Sequence, residues 1–259
     1  MQHDFLLILL GLLIGFLGTL VGAGGGFILT PVLLILYPSD NPETITSIAL
    51  AVTFANALSG SVAYGRMKRI NYRYGLIFAA AAIPGAVGGA LMTQFVPRKT
   101  FDLIFSVLLI VASVYIFLKP PEKDTSGDSV KVILSKRKTL VGILISFLVG
   151  IVASFLGIGG GIIHVPALAG LLDFPVHIAT ATSHFILVFV TFTAVVAHIV
   201  TGTFQHGLHR FIVLAVGVVI GAQVGARVSN RVRGTAIIRI LAAFIFLVAV
   251  RLVLLYFRI

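Results

Sequence analysis

Eight apolar runs fill almost the whole chain and leave few residues that could face water. They cover residues 5–37, 44–64, 74–96, 100–118, 139–172, 177–200, 208–226 and 235–257. Most match the roughly 20 residues with which an α-helix crosses the hydrocarbon core of a bilayer. Only 10% of the 259 residues are charged, whereas soluble domains carry about 25%. The runs therefore predict an all-α integral membrane protein that has the lipid bilayer as a partner.

Two of the runs are too long for a single crossing. As continuous helices, residues 5–37 and 139–172 would each measure roughly 50 Å, against a hydrocarbon core of about 30 Å. Each run contains a glycine-rich block, Gly22–Gly26 in the first and Gly157–Gly161 in the second. Glycine weakens a helix by about 1 kcal/mol relative to alanine and permits positive φ. We therefore predict that each of these segments is broken or re-entrant at its glycine block.

The two glycine blocks belong to a longer internal duplication. Their four glycines, the earlier pair Gly15 and Gly150, and the prolines that follow, Pro31 and Pro166, coincide at an offset of 135 residues. At an offset of 136, Thr46 and Ser47 meet Thr182 and Ser183. Such self-similarity predicts two homologous repeats of about four transmembrane segments each. The predicted boundaries are 1–118 for the first repeat, 119–138 for a polar cytoplasmic linker and 139–259 for the second repeat.

Lysine and arginine residues set the expected orientation. Four of them, Arg66, Lys68, Arg69 and Arg73, lie in one loop, and six more fall within 119–138. Loops rich in positive charge stay on the cytoplasmic side of a membrane, so both segments are expected there. The charge excess thus indicates topology rather than binding of nucleic acid, which we do not expect as a partner. The count of positive residues leaves open whether the repeats are parallel or inverted.

The glycine blocks are also the first candidates for a substrate site. A chain that breaks there begins a second half-helix, and the free N–H groups of a helix N-terminus attract anions. Transporters commonly place such broken helices at the interface between repeats. The candidate substrate-binding glycines are Gly24, Gly25, Gly26, Gly159, Gly160 and Gly161. The alternative is that small residues only allow close packing of helices.

Polar side chains near the blocks complete the predicted site. Thr53 and Asn56 are three residues apart and can share a helix face, where they would offer neutral donors to an oxyanion. Thr182, Ser183 and His184 occupy the corresponding run of the second half. We predict that all five contact the substrate, while packing between helices is the alternative for the hydroxyl residues.

Histidines form a second pattern. His177, His184, Thr191 and His198 recur every seven residues, a spacing that drifts only about 20° per step on a helix and so makes one polar stripe. Histidine titrates near neutral pH. His164, His184 and His198 are therefore candidates for a proton relay, with buried packing and interfacial positions as the alternative.

Enzyme chemistry is not expected. The chain has no cysteine, no carboxylate in the middle of an apolar run and no His-x-x-x-His spacing, so we predict no metal, no cofactor and no catalytic residue. Ser183 lies next to His184, but adjacent helical residues point about 100° apart and do not make a working pair.

The paired segments Gly-Ala-Gly-Gly-Gly-x4-Pro and Gly-Ile-Gly-Gly-Gly-x4-Pro, each about 15 residues ahead of a Thr-Ser pair, resemble the sulfite exporter TauE/SafE family, also called the 4-toluene sulfonate uptake permease family. The resemblance implies a multi-pass transporter in the plasma membrane of a prokaryote. It would export small sulfur-containing oxyanions, such as sulfite or organosulfonates, in exchange with protons by alternating access around a midplane site. A passive anion channel is the alternative, and a homo-oligomer remains open.

Overall fold

The computed structural model describes residues 2–118 and 132–229, with isolated helical residues between 246 and 254. Most of the eighth apolar run, 235–257, and of the predicted linker, 119–138, therefore lies outside the described residues. Within the described ranges every regular element is a helix, so the predicted all-α fold is confirmed.

Nine α-helices make up the described part of the chain, with 3₁₀ turns at Thr93–Phe95 and Thr203–Gly207. Six of them, α1, α3, α4, α6, α8 and α9, are long and apolar enough to cross a membrane. The chain is therefore a multi-pass membrane protein. The helices are α1 (Gln2–Val21), α2 (Gly26–Leu36), α3 (Pro42–Arg66), α4 (Tyr72–Met92), α5 (Arg98–Leu118), α6 (Lys136–Leu156), α7 (Gly161–Gly170), α8 (Val176–Val200) and α9 (Leu208–Val228).

Both glycine blocks interrupt a helical segment, as predicted. Helix α1 ends at Val21, just before the first block, and α6 ends at Leu156, just before the second. Gly25 and Gly160 immediately precede the short helices α2 and α7 with φ of 81° and 94°. Side chains with a Cβ rarely adopt such left-handed backbone, which explains why glycine occupies these positions.

Each short helix turns back beside the long helix before it. Asp4 at the start of α1 contacts His209, and Asp40, just after α2, pairs with the adjacent Arg210. The beginning of α1 and the end of α2 therefore lie at the same end of the molecule. In the second half, Lys138 at the start of α6 pairs with Asp173 after α7. Both broken segments are thus hairpins of one long and one short helix.

Helices of equal rank in the two halves run in opposite directions. Helices α3 and α8 pack in an antiparallel manner. Phe54 of α3 contacts Phe192 of α8, whereas Gly60, later in α3, faces His184, earlier in α8. Helix lengths recur in order, with 20, 11, 25 and 21 residues in α1 to α4 and 21, 10, 25 and 21 in α6 to α9. These directions are those of the inverted arrangement, while the internal repeat itself stays a prediction. The domain boundaries stay a prediction.

Glycines outside the blocks bring whole helices together. A Cβ added to Gly221 of α9 would lie 2.1 Å from the carbonyl oxygen of Leu12 in α1, and one on Gly89 of α4 would lie 2.1 Å from that of Ile151 in α6. These positions therefore fit the packing interpretation, in which small residues let helix backbones approach closely.

The two ends of the helix bundle differ in charge. One end, here the basic end, carries the loop between α3 and α4 and the start of α6. The two lie together because the hydroxyl of Tyr74, in the first turn of α4, accepts the N–H of Leu134, just before α6. Its charged residues include Arg66, Lys68, Arg69, Arg73, Lys136, Arg137, Lys138, Asp173 and Arg227. The opposite end, here the mixed end, carries acidic and basic side chains, among them Asp4, Asp40, Glu43, Arg98, Lys99, Asp102 and Arg210.

Candidate functional site

The two glycine blocks meet in the interior of the molecule. A Cβ added to Gly26 would lie 2.8 Å from the carbonyl oxygen of Gly157, and one on Gly161 would lie 2.6 Å from that of Gly22. The contact is therefore reciprocal, with the first residue of each short helix against the backbone of the other block. We call this contact the junction; its residues are Gly22–Gly26 and Gly157–Gly161.

The junction lies level with the middle of α3 and α8. Thr53 and Leu187 are each the twelfth residue of a 25-residue helix. A Cβ on Gly24 would lie 2.8 Å from Thr53 Cγ2 and 2.5 Å from Leu187 Cδ2, and one on Gly159 would meet the same two side chains at 2.6 and 3.6 Å. Both breaks therefore converge on one Thr–Leu pair at the centre of the bundle.

Free amides line the junction from both sides. The N–H groups of Ile28 and Ile163 bond back to the carbonyl oxygens of Gly25 and Gly160, at 3.0 and 3.1 Å. The first two N–H groups of each short helix, in contrast, find no acceptor among the described residues. They belong to Gly26, Phe27, Gly161 and Ile162. The positive ends of the α2 and α7 dipoles thus lie close to each other in the buried junction.

Thr53 is the side chain that extends into the junction. It is 1% exposed, and its hydroxyl oxygen has no hydrogen-bond partner. A Cβ added to Gly26 would lie 2.6 Å from this oxygen. Buried hydroxyls are normally hydrogen-bonded, so an unpartnered one beside free amides is what a polar ligand site would contain.

Asn56 is also at the junction, but its amide is already engaged. Its Oδ1 accepts from Thr19 Oγ1 at 2.7 Å, and its Nδ2 donates to the carbonyl oxygen of Gly24 at 2.7 Å. Tyr64 donates to the carbonyl oxygen of Thr19, also at 2.7 Å. Asn56 therefore holds the first break in place.

Thr19 and Tyr64 were not among the sequence-based candidates. A signal for Thr19 was present, because it aligns with Ser154 at the offset of 135 residues that relates the two glycine blocks. Tyr64 gave no such signal, since it is an ordinary aromatic near the end of an apolar run.

The three candidates on α8 separate in the structure. Ser183 donates to the carbonyl oxygen of Gly22 at 3.4 Å, and His184 Nε2 lies 3.4 Å from Thr19 Oγ1. Thr182 instead accepts the backbone N–H of Asn71 at 3.0 Å. The structure therefore places Ser183 and His184 beside the first break, whereas it directs the Thr182 hydroxyl to the start of α4.

The candidate relay histidines lie apart. His164 Nε2 is 3.2 Å from Ser146 Oγ, and His198 Nδ1 is 3.4 Å from Thr203 Oγ1 at the mixed end. The 14 residues from His184 to His198 correspond to about 21 Å along a helix. No hydrogen bond joins His164, His184 and His198 to one another in the part of the chain that the structure describes. The relay is not assembled in this conformation.

Among the described residues the second break has fewer side-chain hydrogen bonds than the first, although Thr30 donates to the carbonyl oxygen of Gly157. Ser154, the counterpart of Thr19, is fully buried and its hydroxyl has no partner. His164 Nδ1 is also without a partner, and a Cβ on Gly160 would lie 3.6 Å from it. The second half of the junction therefore holds polar atoms that remain free to bind a solute or water.

In the part of the chain that the structure describes, neutral groups alone provide the polarity of the interior. The buried polar residues in the described ranges are threonines, serines, histidines and Asn56, without lysine, arginine or carboxylate. The same residues contain no group of three histidines or acids that could hold a metal ion. The junction thus offers hydrogen-bond donors and helix dipoles, which suit binding better than bond-making chemistry.

Comparison with known proteins identifies a family that this chain matches. The family model described as sulfite exporter TauE/SafE matches residues 7–252. The probable membrane transporter protein YunE of Bacillus subtilis is 30% identical over 265 residues, which cover 96% of each chain. A second protein of that organism, the probable membrane transporter protein YdhB, is 24% identical over 229 residues, 86% of this chain and 87% of its own. No solved structure matches the chain.

The family match covers nearly the whole chain, including both hairpins and the junction between them. It confirms the resemblance that the paired glycine blocks carried. This multi-pass protein accordingly belongs to the sulfite exporter TauE/SafE family of membrane transporters.

Proposed function

We propose that the chain is a secondary transporter of small sulfur-containing oxyanions, such as sulfite or organosulfonates, and that the junction is its substrate site. The observation that carries this proposal is the pair of opposed helix N-termini, with four unpaired amides and the unpartnered Thr53 hydroxyl between them. Family membership supports the choice of sulfur oxyanions.

Electrostatics favours an anion at this place. Two helix N-termini, each equivalent to roughly half a positive charge, repel each other where little water screens them. A negatively charged solute between them would turn that repulsion into attraction, and its oxygens would accept from the amides of Gly26 and Gly161. Anion binding at helix N-termini is a general property of the fold element.

Burial of the junction favours a carrier over a passive channel. The glycines at its centre, Gly24–Gly26 and Gly159–Gly161, are all buried, and the two blocks contact each other directly. A solute reaches such a site only when the surrounding helices move apart on one side. Inverted halves support this motion, because opening toward either end then uses equivalent contacts.

Charge at the two ends supports export. The basic end would face the cytoplasm of a prokaryotic cell whose plasma membrane holds the protein. Its arginines and lysines would concentrate anions at the entrance. The inside-negative potential across that membrane would drive a singly charged anion outward.

Flux measurements in proteoliposomes test this proposal. Radiolabelled sulfite and methanesulfonate are followed with and without a pH gradient, while valinomycin and potassium clamp the voltage. A carrier gives saturable flux that unlabelled substrate on the far side accelerates. A channel gives flux that lacks this acceleration and depends on voltage alone, and flux no greater than that of empty liposomes contradicts the assignment to oxyanions.

A further inference from the structure

We propose that the junction accepts oxyanions of a single negative charge, so that sulfite crosses as bisulfite and the coupled proton travels on the substrate itself. This inference rests on the proposed function and specifies the charge state of its substrate. It starts from the contrast between a strongly basic chain and an interior without a single buried cation among the described residues.

The donors of the junction are neutral. They are the backbone amides at Gly26, Phe27, Gly161 and Ile162 and the hydroxyl of Thr53. The cost of removing an ion from water rises with the square of its charge, so a dianion costs roughly four times as much as a monoanion. Neutral dipoles gain only in proportion to the charge. The arrangement therefore discriminates against dianions, as a site with a buried arginine would not.

Thr53 gives the junction a feature that amides lack. A hydroxyl can accept a hydrogen bond as well as donate one. It can therefore accept the proton of bisulfite while the amides at Gly26 and Gly161 donate to the ionised oxygens. The threonine methyl group and Leu187 form an apolar wall against Gly24 and Gly159. A monosulfonate would place its alkyl group against this wall.

Among the described residues, no titratable side chain is hydrogen-bonded to Thr53, although His164 lies beside Gly160 of the junction. Within the described ranges three titratable side chains lie nearest the junction. His184 and Tyr64 both contact Thr19, which in turn bonds to Asn56. His164 faces Gly160. No hydrogen bond in those ranges joins any of the three to Thr53. The mixed end and the basic end hold the described carboxylates.

Three anions distinguish the effect of substrate charge on flux from the effect of substrate size. Methanesulfonate is a monoanion at all accessible pH values, sulfate is a dianion of similar size, and sulfite changes charge near neutral pH. With the full chain in proteoliposomes, we expect methanesulfonate flux that is insensitive to pH and sulfate flux at least about tenfold lower. Sulfite flux at equal total concentration should follow the bisulfite fraction and fall about tenfold per pH unit in alkaline solution.

Equal fluxes of sulfate and methanesulfonate, or sulfite flux that rises as bisulfite disappears, would overturn the inference and leave the transporter assignment intact. Absence of flux for all three anions would instead overturn the proposed function. Arg239, near the start of the eighth apolar run, lies outside the described residues. If sulfate is carried and the variant Arg239→Gln abolishes that flux, a cation sets the charge preference and the inference is wrong.

Side-chain variants test the roles of Thr53 and the histidines. Thr53→Val should lower sulfite flux roughly tenfold and methanesulfonate flux less, because only bisulfite donates to the hydroxyl, and Thr53→Ser should restore the ratio. Thr93→Val is the matched control, since Thr93 is equally buried but bonds to Gly89 and Phe155 carbonyls.

The double variant with His164→Gln and His184→Gln should retain the pH profile of sulfite flux. Loss of that profile would place the proton on histidine and refute the inference.

Discussion

At the scale of single residues, glycine serves two purposes in this chain that the sequence alone does not separate. Gly25 and Gly160 have positive φ and end the turns of the junction, whereas Gly89 and Gly221 provide room for a neighbouring helix. The block pattern and its repetition predicted the first group correctly. Contact partners of the second group depend on which helices are neighbours, which no local pattern reveals.

The substitution Gly160→Ala tests the need for left-handed backbone at the junction. Its Cβ would lie 2.8 Å from Val149 Cγ1 and 3.0 Å from Ala153 Cβ, at a φ of 94°. Strain of on the order of 1–2 kcal/mol plus the overlap should lower both the unfolding temperature in detergent and the oxyanion flux. Gly88→Ala is the matched control, because nothing lies within 4 Å of that position. Equal behaviour of the two variants would contradict this account.

Asn56→Asp tests the brace of the first break. The change replaces the donor to the Gly24 carbonyl with an acceptor and adds negative charge beside the anion site, so it should weaken folding by about 1–3 kcal/mol and suppress flux. Asn71→Asp provides the control, since Asn71 Oδ1 caps α4 by accepting from Tyr74 N, a role that aspartate performs equally well. Thermal unfolding and flux assays read out both variants, and a fully active Asn56→Asp protein would remove Asn56 from the site.

At the scale of elements, the short helices α2 and α7 are too short to be stable by themselves. Isolated helices of 10 or 11 residues are marginal, so α2 and α7 depend on tertiary contacts. Thr30 in α2 donates to the Gly157 carbonyl at 2.8 Å and ties α2 to the other block. The excess length of two apolar runs predicted that they break. Which end the short helices approach could not be predicted, because the count of positive charges was nearly the same for both arrangements.

Arg98 holds the end of α2 at the mixed end. Its guanidinium donates to the carbonyl oxygens of Leu34 and Asp40 and bonds to Asp102. Arg98→Gln should therefore free α2 and lower the free energy of unfolding by on the order of 1–2 kcal/mol, since hydrogen bonds to charged donors exceed neutral ones but partial exposure weakens them. Thermal unfolding in detergent measures the change. The adjacent Lys99→Gln, at an exposed position, should have no effect; a similar loss in both would argue against the clamp.

At the scale of the whole molecule, the sequence predicted the class of fold and the helix breaks at the glycine blocks better than the contacts of the polar side chains around them. Apolar runs and duplicated blocks lead directly to an all-α bundle and a central junction. The distance between His184 and His198 follows from their spacing on one helix, whereas the place of His164, on another helix, could not be predicted because the sequence does not reveal which helices are neighbours. Thr182 is the same case, since the start of α4 occupies its hydroxyl.

Orientation in the membrane follows from the charge of the two ends and can be measured directly. The chain has no cysteine, so single cysteines introduced at exposed positions report without background. A membrane-impermeant maleimide added to intact cells should label Ser39→Cys at the mixed end and leave Arg66→Cys at the basic end unlabelled until the cells are lysed. The reverse pattern would contradict the proposed direction of transport.

The most direct test of the central claim follows the junction amides while an oxyanion binds. The full chain, labelled with nitrogen-15 glycine and placed in lipid nanodiscs, is titrated with methanesulfonate, and the glycine amide signals are assigned by single substitutions. We expect saturable shifts of the Gly26 and Gly161 signals with an unchanged Gly88 signal. Signals of Gly26 and Gly161 that stay fixed while methanesulfonate shifts glycines elsewhere would show that the anion binds away from the junction.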